Sequence, residues 1–128
     1  MTPIRALLAD DHAPTRDDVR QAIEQDPGLE VCAEAADAPA AVEAALREQP
    51  DVCLLDVRMP GSGVAAVWEI SARCPQTRIV MLTISTDEVD LFGALRAGAD
   101  GYLLKDMNPA RIPSAIRDAA AGKAALPR

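Results

Sequence analysis

The residues of this chain that could do chemistry stand where short apolar runs end. Asp10 and Asp11 follow one run, Asp56 another, and Thr83 and Lys105 two more. Taken alone, each has an ordinary interpretation: an aspartate after a strand usually caps the next helix, and a lone Thr or Lys there is a strand-end or solvated residue. Four run ends carrying such groups favour a shared site over four unrelated caps.

Three carboxylates gathered in one place repel one another, and a cation between them relieves the repulsion. Mg²⁺ is the simplest candidate, because it binds one or two carboxylates, keeps several waters and leaves positions for phosphate oxygens. Lys105 could hold a phosphoryl oxygen as a point charge. Asp10, Asp11, Asp56, Thr83 and Lys105 therefore predict a metal-assisted phosphoryl site.

The elements that would position this site alternate along the chain. Apolar strand patterns cover Ile4–Ala9, Leu29–Ala35, Val52–Leu55, Arg78–Leu82 and Gly101–Leu104. Helical patterns cover Pro14–Gln25, Pro39–Glu48, Val64–Arg73, Asp87–Arg96 and Pro109–Ala121. This alternation predicts an α/β fold with a doubly wound parallel sheet. In the strand order 2-1-3-4-5, the carboxyl ends of strands one, three, four and five meet at one edge, where such sheets bind ligands.

Two residues test the helix predictions. Pro113 falls inside the last predicted helix, where an interior proline is costly, so that helix should begin late or bend there. Trp68 lies on the third predicted helix, and we expect it to pack partly against the sheet.

Composition limits the function. The chain has 128 residues, enough for one core, and its aromatic fraction of 2% requires a core of Leu, Ile, Val and Ala. Its formal net charge of −7 argues against nucleic acid or an anionic membrane as direct partners. No apolar run approaches a membrane span. Three cysteines without a CxxC pair and a single His argue against a zinc site and fit reduced thiols in the cytoplasm.

Four segments together resemble the receiver domains of two-component response regulators, closest to the NarL/FixJ (LuxR-type) group. They are Leu7-Leu8-Ala9-Asp10-Asp11-His12, Leu54-Leu55-Asp56-Val57-Arg58-Met59-Pro60, Leu82-Thr83 and Ala97-Gly98-Ala99-Asp100-Gly101-Tyr102-Leu103-Leu104-Lys105-Asp106. The resemblance covers roughly residues 4–122 and implies a flavodoxin-like (βα)5 fold, with a receiver domain over residues 1–122 and a linker beginning at 123–128.

The resemblance also implies a role for each site residue. Asp56 matches the phosphoacceptor, and Asp10 and Asp11 match the acidic pair that binds Mg²⁺ together with Asp56. The implied roles of the other positions are a metal ligand through the backbone carbonyl of Arg58, a switch hydroxyl at Thr83, an aromatic switch at Tyr102 and a phosphoryl-pairing ammonium at Lys105.

For partners, the resemblance implies a sensor histidine kinase as phosphoryl donor and a homodimer that forms on phosphorylation. In this group the output is a C-terminal helix-turn-helix domain, so we expect DNA contact only through a domain absent from this chain. A stand-alone receiver that acts through protein partners or a phosphorelay is the first alternative. An aspartyl-phosphate hydrolase of the haloacid-dehalogenase kind is less favoured, because Arg58 stands where such enzymes carry a second Asp.

Two positions depart from the family pattern. The loop Gly61-Ser62-Gly63 is one residue shorter than is usual, which would tighten the lip of the site. Lys105 is followed by Asp106 where many receivers have Pro after a cis bond, and the sequence leaves open whether this bond is cis or trans.

Overall fold

A computed structural model describes residues 2–84 and 88–124 of the chain. Five parallel strands form one sheet in the order β2-β1-β3-β4-β5. The strands are β1 (Ile4–Ala9), β2 (Leu29–Ala35), β3 (Val52–Asp56), β4 (Arg78–Thr83) and β5 (Gly101–Leu104). The helices are α1 (Ala13–Glu24), α2 (Ala38–Glu48), α3 (Gly63–Arg73), α4 (Glu88–Ala97) and α5 (Ile112–Ala120). The predicted fold class and strand order are therefore confirmed.

Two apolar cores lie on opposite faces of the sheet, as doubly wound sheets require. One core joins the sheet to α2, α3 and α4, and the other joins it to α1 and α5. Every residue of β3 is buried, because this central strand is covered on both faces. The buried alanines of α2, which are Ala38, Ala41, Ala44 and Ala45, are small enough to let that helix lie close to the sheet.

Helix starts agree with the local sequence. The Asp37 carboxylate accepts a 2.8 Å hydrogen bond from the Ala40 N–H and so caps α2. The chain before α5 forms a short 3₁₀ turn (Pro109–Arg111), and the α-helix begins at Ile112 with Pro113 in its first turn. A proline in that turn gives up no intrahelical hydrogen bond. The late start predicted from Pro113 is confirmed.

Two further expectations can be compared with the structure. The prediction that Trp68 packs partly against the sheet is wrong: the residue is 59% exposed. Trp68 shares a helical stripe with Val64 and Ser71, which lie beside Gly93 and Gly98 at the α4 side.

The Lys105–Asp106 bond is trans. The predicted helix start at Asp87 and residues 125–128 of the predicted linker lie outside the described residues.

Candidate functional site

Three carboxylates meet at the carboxyl edge of the sheet. Asp10 and Asp11 follow β1, and Asp56 is the last residue of the neighbouring β3. One oxygen from each lies within 4.8 Å of the others. Asp10 is fully buried and Asp56 nearly so, whereas Asp11 is exposed. The structure therefore brings together the acidic residues that the sequence predicted, with one side open to solvent.

Backbone turns orient the two buried carboxylates in the same way. Asp10 Oδ1 accepts a 2.9 Å hydrogen bond from the His12 N–H, and Asp56 Oδ1 accepts a 3.1 Å hydrogen bond from the Arg58 N–H. Each aspartate thus bonds to the backbone two residues further along, a local preference of Asp side chains. The second oxygen of each carboxylate is left to face the centre of the cluster.

Lys105 contacts both of those second oxygens. Its Nζ lies 2.8 Å from Asp10 Oδ2 and 3.2 Å from Asp56 Oδ2. The Lys105 backbone N–H also donates a 2.8 Å hydrogen bond to the Thr83 carbonyl, which fixes the end of β5 beside β4. Burial works to lower the pKa of Lys105, but the hydrogen bonds and charges of Asp10 and Asp56 outweigh it and hold the pKa above its usual range. The ammonium therefore stays charged.

The pKa of Asp56 is raised. Burial of the carboxylate is the main cause, and the charge of Asp10 adds to it. The Arg58 N–H and the Lys105 ammonium work in the opposite direction without cancelling the shift. An additional cation beside Asp56 would therefore favour the ionised form that a nucleophile needs.

The remaining predicted residues lie around this cluster. Thr83 is the buried last residue of β4, and residue 82 of the same strand pairs with Asp56. Tyr102 is half-buried on β5 and packs against the core that joins the sheet to α2, α3 and α4. Arg58 is exposed two residues after Asp56, in the loop that leads to α3. His12 caps α1 through its Nδ1, which accepts from the Thr15 N–H at 3.3 Å.

The donor set fits a hard divalent cation. Asp10, Asp11 and Asp56 present oxygen ligands close together, and with Lys105 they still form a negative cluster when ionised. Mg²⁺ prefers such oxygens and keeps several waters, so it tolerates a site that is open to solvent on one side, as this one is at Asp11. The residues present are therefore suited to the metal that the sequence predicted.

The loop after Asp56 is closely packed. Gly61 and Ser62 both have positive φ, at 86° and 76°, and the Ser62 side chain caps α3 by accepting from the Ala65 N–H at 3.2 Å. The Pro60 carbonyl accepts a 2.8 Å hydrogen bond from the Ala38 N–H, which ties the loop to α2. A tight lip was expected from the short loop; a serine with positive φ was not, because Ser rarely adopts that conformation.

Sequence reasoning missed one residue next to the acid pair. Arg16, in the first half of α1, donates from Nη1 to the Asp10 backbone carbonyl at 2.7 Å. The Asp10–Arg16 spacing corresponds to no recognisable motif, and an arginine near a helix start usually faces solvent, so no sequence signal identified it.

The fold and this cluster are those of a phosphoacceptor signalling domain, and comparison with known proteins agrees. The family described as "Response regulator receiver domain" matches residues 6–117. The chain therefore belongs to the response regulator receiver domain family, whose members generally act as signalling switches.

Individual relatives are of the NarL type. The chain is 43% identical over 122 residues to the nitrate/nitrite response regulator protein NarP of Escherichia coli, covering 94% of this chain and 57% of that protein. It is 40% identical over 125 residues to NarL of the same organism, covering 97% and 58%. The signal receiver domain of a NarL response regulator from Mycobacterium tuberculosis superposes with a TM-score of 0.92 at 33% identity, covering 96% of this chain and all of that one.

Two further facts bound the function. The chain spans little more than half the length of the curated relatives it matches. Among the described residues, no helix is both long enough and apolar enough to cross a membrane.

Proposed function

We propose that Asp56 accepts a phosphoryl group from a phosphohistidine of a sensor kinase, in a site where Mg²⁺ is held by Asp10, Asp11, Asp56 and the Arg58 backbone carbonyl. The observation that supports this proposal is the convergence of three carboxylates and the Lys105 ammonium at the carboxyl edge of the sheet. A helix cap or a single salt bridge would not need this many charges in one place.

The chain's own residues would act as follows. An Asp56 carboxylate oxygen attacks phosphorus in line, the P–O bond forms, the P–N bond to the kinase histidine breaks, and its electron pair stays on the imidazole nitrogen. Lys105 lies where it can hold a phosphoryl oxygen after giving up part of its contact with Asp56. Positive charge around the transferring oxygens is the main catalytic requirement of this reaction. Mg²⁺, when bound, supplies the rest of that charge.

Phosphorylation would then change the surface near β4 and β5. We propose Thr83 as the hydroxyl that bonds the new phosphoryl group and Tyr102 as the aromatic side chain that responds. Thr83 is next to the strand position that pairs with Asp56, and Tyr102 lies on the adjoining edge strand. Residues 85–87, which come soon after Thr83 in the chain, lie outside the described residues.

The output is a proposal that rests on the relatives. NarP and NarL are named as response regulators, and both extend well beyond the matched region. We propose that this receiver controls DNA binding and transcription through a C-terminal domain, that it works in the cytoplasm, and that phosphorylation promotes a homodimer. A stand-alone receiver that signals through protein partners is the alternative. Size-exclusion chromatography with and without acetyl phosphate would test the dimer.

Acetyl phosphate with Mg²⁺, read by intact mass, tests the phosphoacceptor proposal. We expect one added phosphoryl group on the wild type, none on Asp56→Asn, and much less when Mg²⁺ is chelated. Asp51→Asn is the matched control, since Asp51 lies at the opposite end of β3. Full modification of Asp56→Asn, or equal loss in Asp51→Asn, would contradict the proposal.

A further inference from the structure

A guanidinium lies directly behind the acid pair. Arg16 Nη1 donates to the Asp10 carbonyl at 2.7 Å, and Arg16 Nε lies 3.3 Å from Glu34 Oε1 on β2. The Arg16 side chain is 22% exposed, and its bond to the Asp10 carbonyl is partly buried, whereas its contact with Glu34 is exposed. We propose that Arg16 is a positioning residue, which holds the Asp10–Asp11 peptide so that its two carboxylates are placed for cation binding. This inference rests on the proposed function.

The Asp10–Asp11 peptide needs such support because it lies beyond the strand ladder. The Asp10 N–H still donates to the Ala35 carbonyl at 3.0 Å. The Asp10 carbonyl is part of the next peptide, after β1 has ended, and there the donor is the Arg16 side chain. The two acidic side chains flank this peptide on either side, so a rotation of the peptide moves both carboxylates.

Glu34 holds the guanidinium in place. Its carboxylate lies on the neighbouring strand and pairs with Arg16 at 3.3 Å. Arg16 therefore spans from the edge strand β2 to the loop after β1, and its planar fork can serve both partners at once. A charge-assisted bond to a partly buried carbonyl is stronger than a neutral one.

Arg20 provides a matched comparison one helical turn further along α1. It pairs with Asp17 at 3.3 Å and with the same Glu34 carboxylate at 3.9 Å. Its side chain is 33% exposed, similar to Arg16. Removal of Arg20 therefore takes away an arginine and a Glu34 contact while the Arg16 bond to Asp10 remains.

The test compares Arg16→Ala, Arg16→Lys and Arg20→Ala with the wild type. Mg²⁺ is titrated into each protein and followed by backbone amide chemical shifts, and the acetyl phosphate reaction is measured across the same Mg²⁺ range. Arg16→Ala should raise the apparent Mg²⁺ dissociation constant about 10-fold, as expected when the group behind a metal ligand is removed. The rate of phosphorylation by acetyl phosphate at saturating Mg²⁺ should fall by a smaller factor than the affinity for Mg²⁺. Arg16→Lys should restore part of the affinity, because an ammonium can donate to the carbonyl without also spanning to Glu34.

Arg20→Ala should leave the apparent Mg²⁺ dissociation constant within about twofold of the wild-type value, as expected for an ordinary surface substitution. Equal effects of Arg16→Ala and Arg20→Ala, or an Arg16→Ala protein that is less stable but binds Mg²⁺ as the wild type does, would overturn the inference. Titration of the folded protein well below its unfolding temperature separates a loss of Mg²⁺ affinity from a loss of stability. A wild type that binds Mg²⁺ without being phosphorylated would refute the proposed function instead, and the Mg²⁺ constants of the variants would still decide the role of Arg16.

Discussion

Gly63 is the position where a single methyl group should disturb the phosphoacceptor loop most. It begins α3, it is buried, and its N–H donates to the Val57 carbonyl at 3.0 Å. A Cβ at this position would overlap the backbone carbonyl of Asp56 and backbone atoms of Val57. Because these are backbone atoms, no side-chain rotation can relieve the overlap, and the loop from Asp56 to the helix start has to move.

The cost of Gly63→Ala follows from two opposing effects. Overpacking typically destabilises by about 1–3 kcal/mol, and a clash with backbone belongs at the upper end. Alanine recovers about 0.5–1 kcal/mol through its smaller loss of backbone entropy. A net destabilisation of about 2 kcal/mol remains, which lowers the Tm of a chain of this size by about 6–10 °C. Phosphorylation should slow as well, because Asp56 moves relative to Lys105.

Gly93→Ala is the matched control for that variant. Gly93 lies in the middle of α4, and a Cβ there would meet the Val64 methyl groups at 3.8 and 3.9 Å, which is ordinary contact. We expect Gly93→Ala to raise the free energy of unfolding by about 0.5–1 kcal/mol. The wild type, Gly63→Ala and Gly93→Ala are compared by urea and thermal unfolding followed by circular dichroism. The rate of phosphorylation by acetyl phosphate is measured on the same samples. If Gly63→Ala unfolds at the wild-type temperature and phosphorylates normally, the argument from backbone overlap is refuted.

Three further predictions concern charge and packing. Lys105→Met should slow phosphorylation about 100-fold in a Mg²⁺-saturated acetyl phosphate assay, since a preorganised charge at the phosphoryl site is removed; a rate near wild type would contradict its role. Asp26 pairs with Arg117 at 3.0 Å, which lowers the pKa of Asp26, so that pair stabilises the fold above pH 3.8 and the effect is lost as pH falls through the lowered pKa. Asp26→Asn should therefore lower Tm at neutral pH, with the difference from the wild type closing below pH 3.8; a difference in Tm that stays the same at low pH would contradict this prediction. Ile116 lies on α5 and is fully buried in the core that this helix shares with the sheet, so Ile116→Ala should destabilise the protein by about 2–5 kcal/mol in urea unfolding. A loss of stability well below about 2 kcal/mol would contradict this prediction.

The fold could be predicted from the sequence because its signals are local and repeat. Each apolar run ends in a polar residue or turn, and Pro113 correctly indicated that α5 begins late. β3 was predicted to end at residue 55 but continues through Asp56, since the strand pairing with β4 extends one residue further. Periodicity determines which elements form but locates their ends only approximately.

The site was predictable only in part. Parallel topology places the carboxyl ends of the strands together, which is why Asp10, Asp56 and Lys105 could be grouped from the sequence. Trp68 was assigned wrongly because a large apolar side chain on a helix usually faces the core, while here it lies on the stripe toward α4. Arg16 was missed because its bond is to a backbone carbonyl, and backbone acceptors carry no sequence signal.

The central claim, that the Asp56 carboxylate is the phosphoacceptor, is tested most directly by trapping the product. Protein treated with acetyl phosphate and Mg²⁺ is reduced with borohydride, which converts an aspartyl phosphate to homoserine, and the peptides are sequenced by tandem mass spectrometry. We expect homoserine at position 56 alone. Homoserine at position 10 or 11 instead, or a phosphorylated protein with unmodified Asp56, would contradict it.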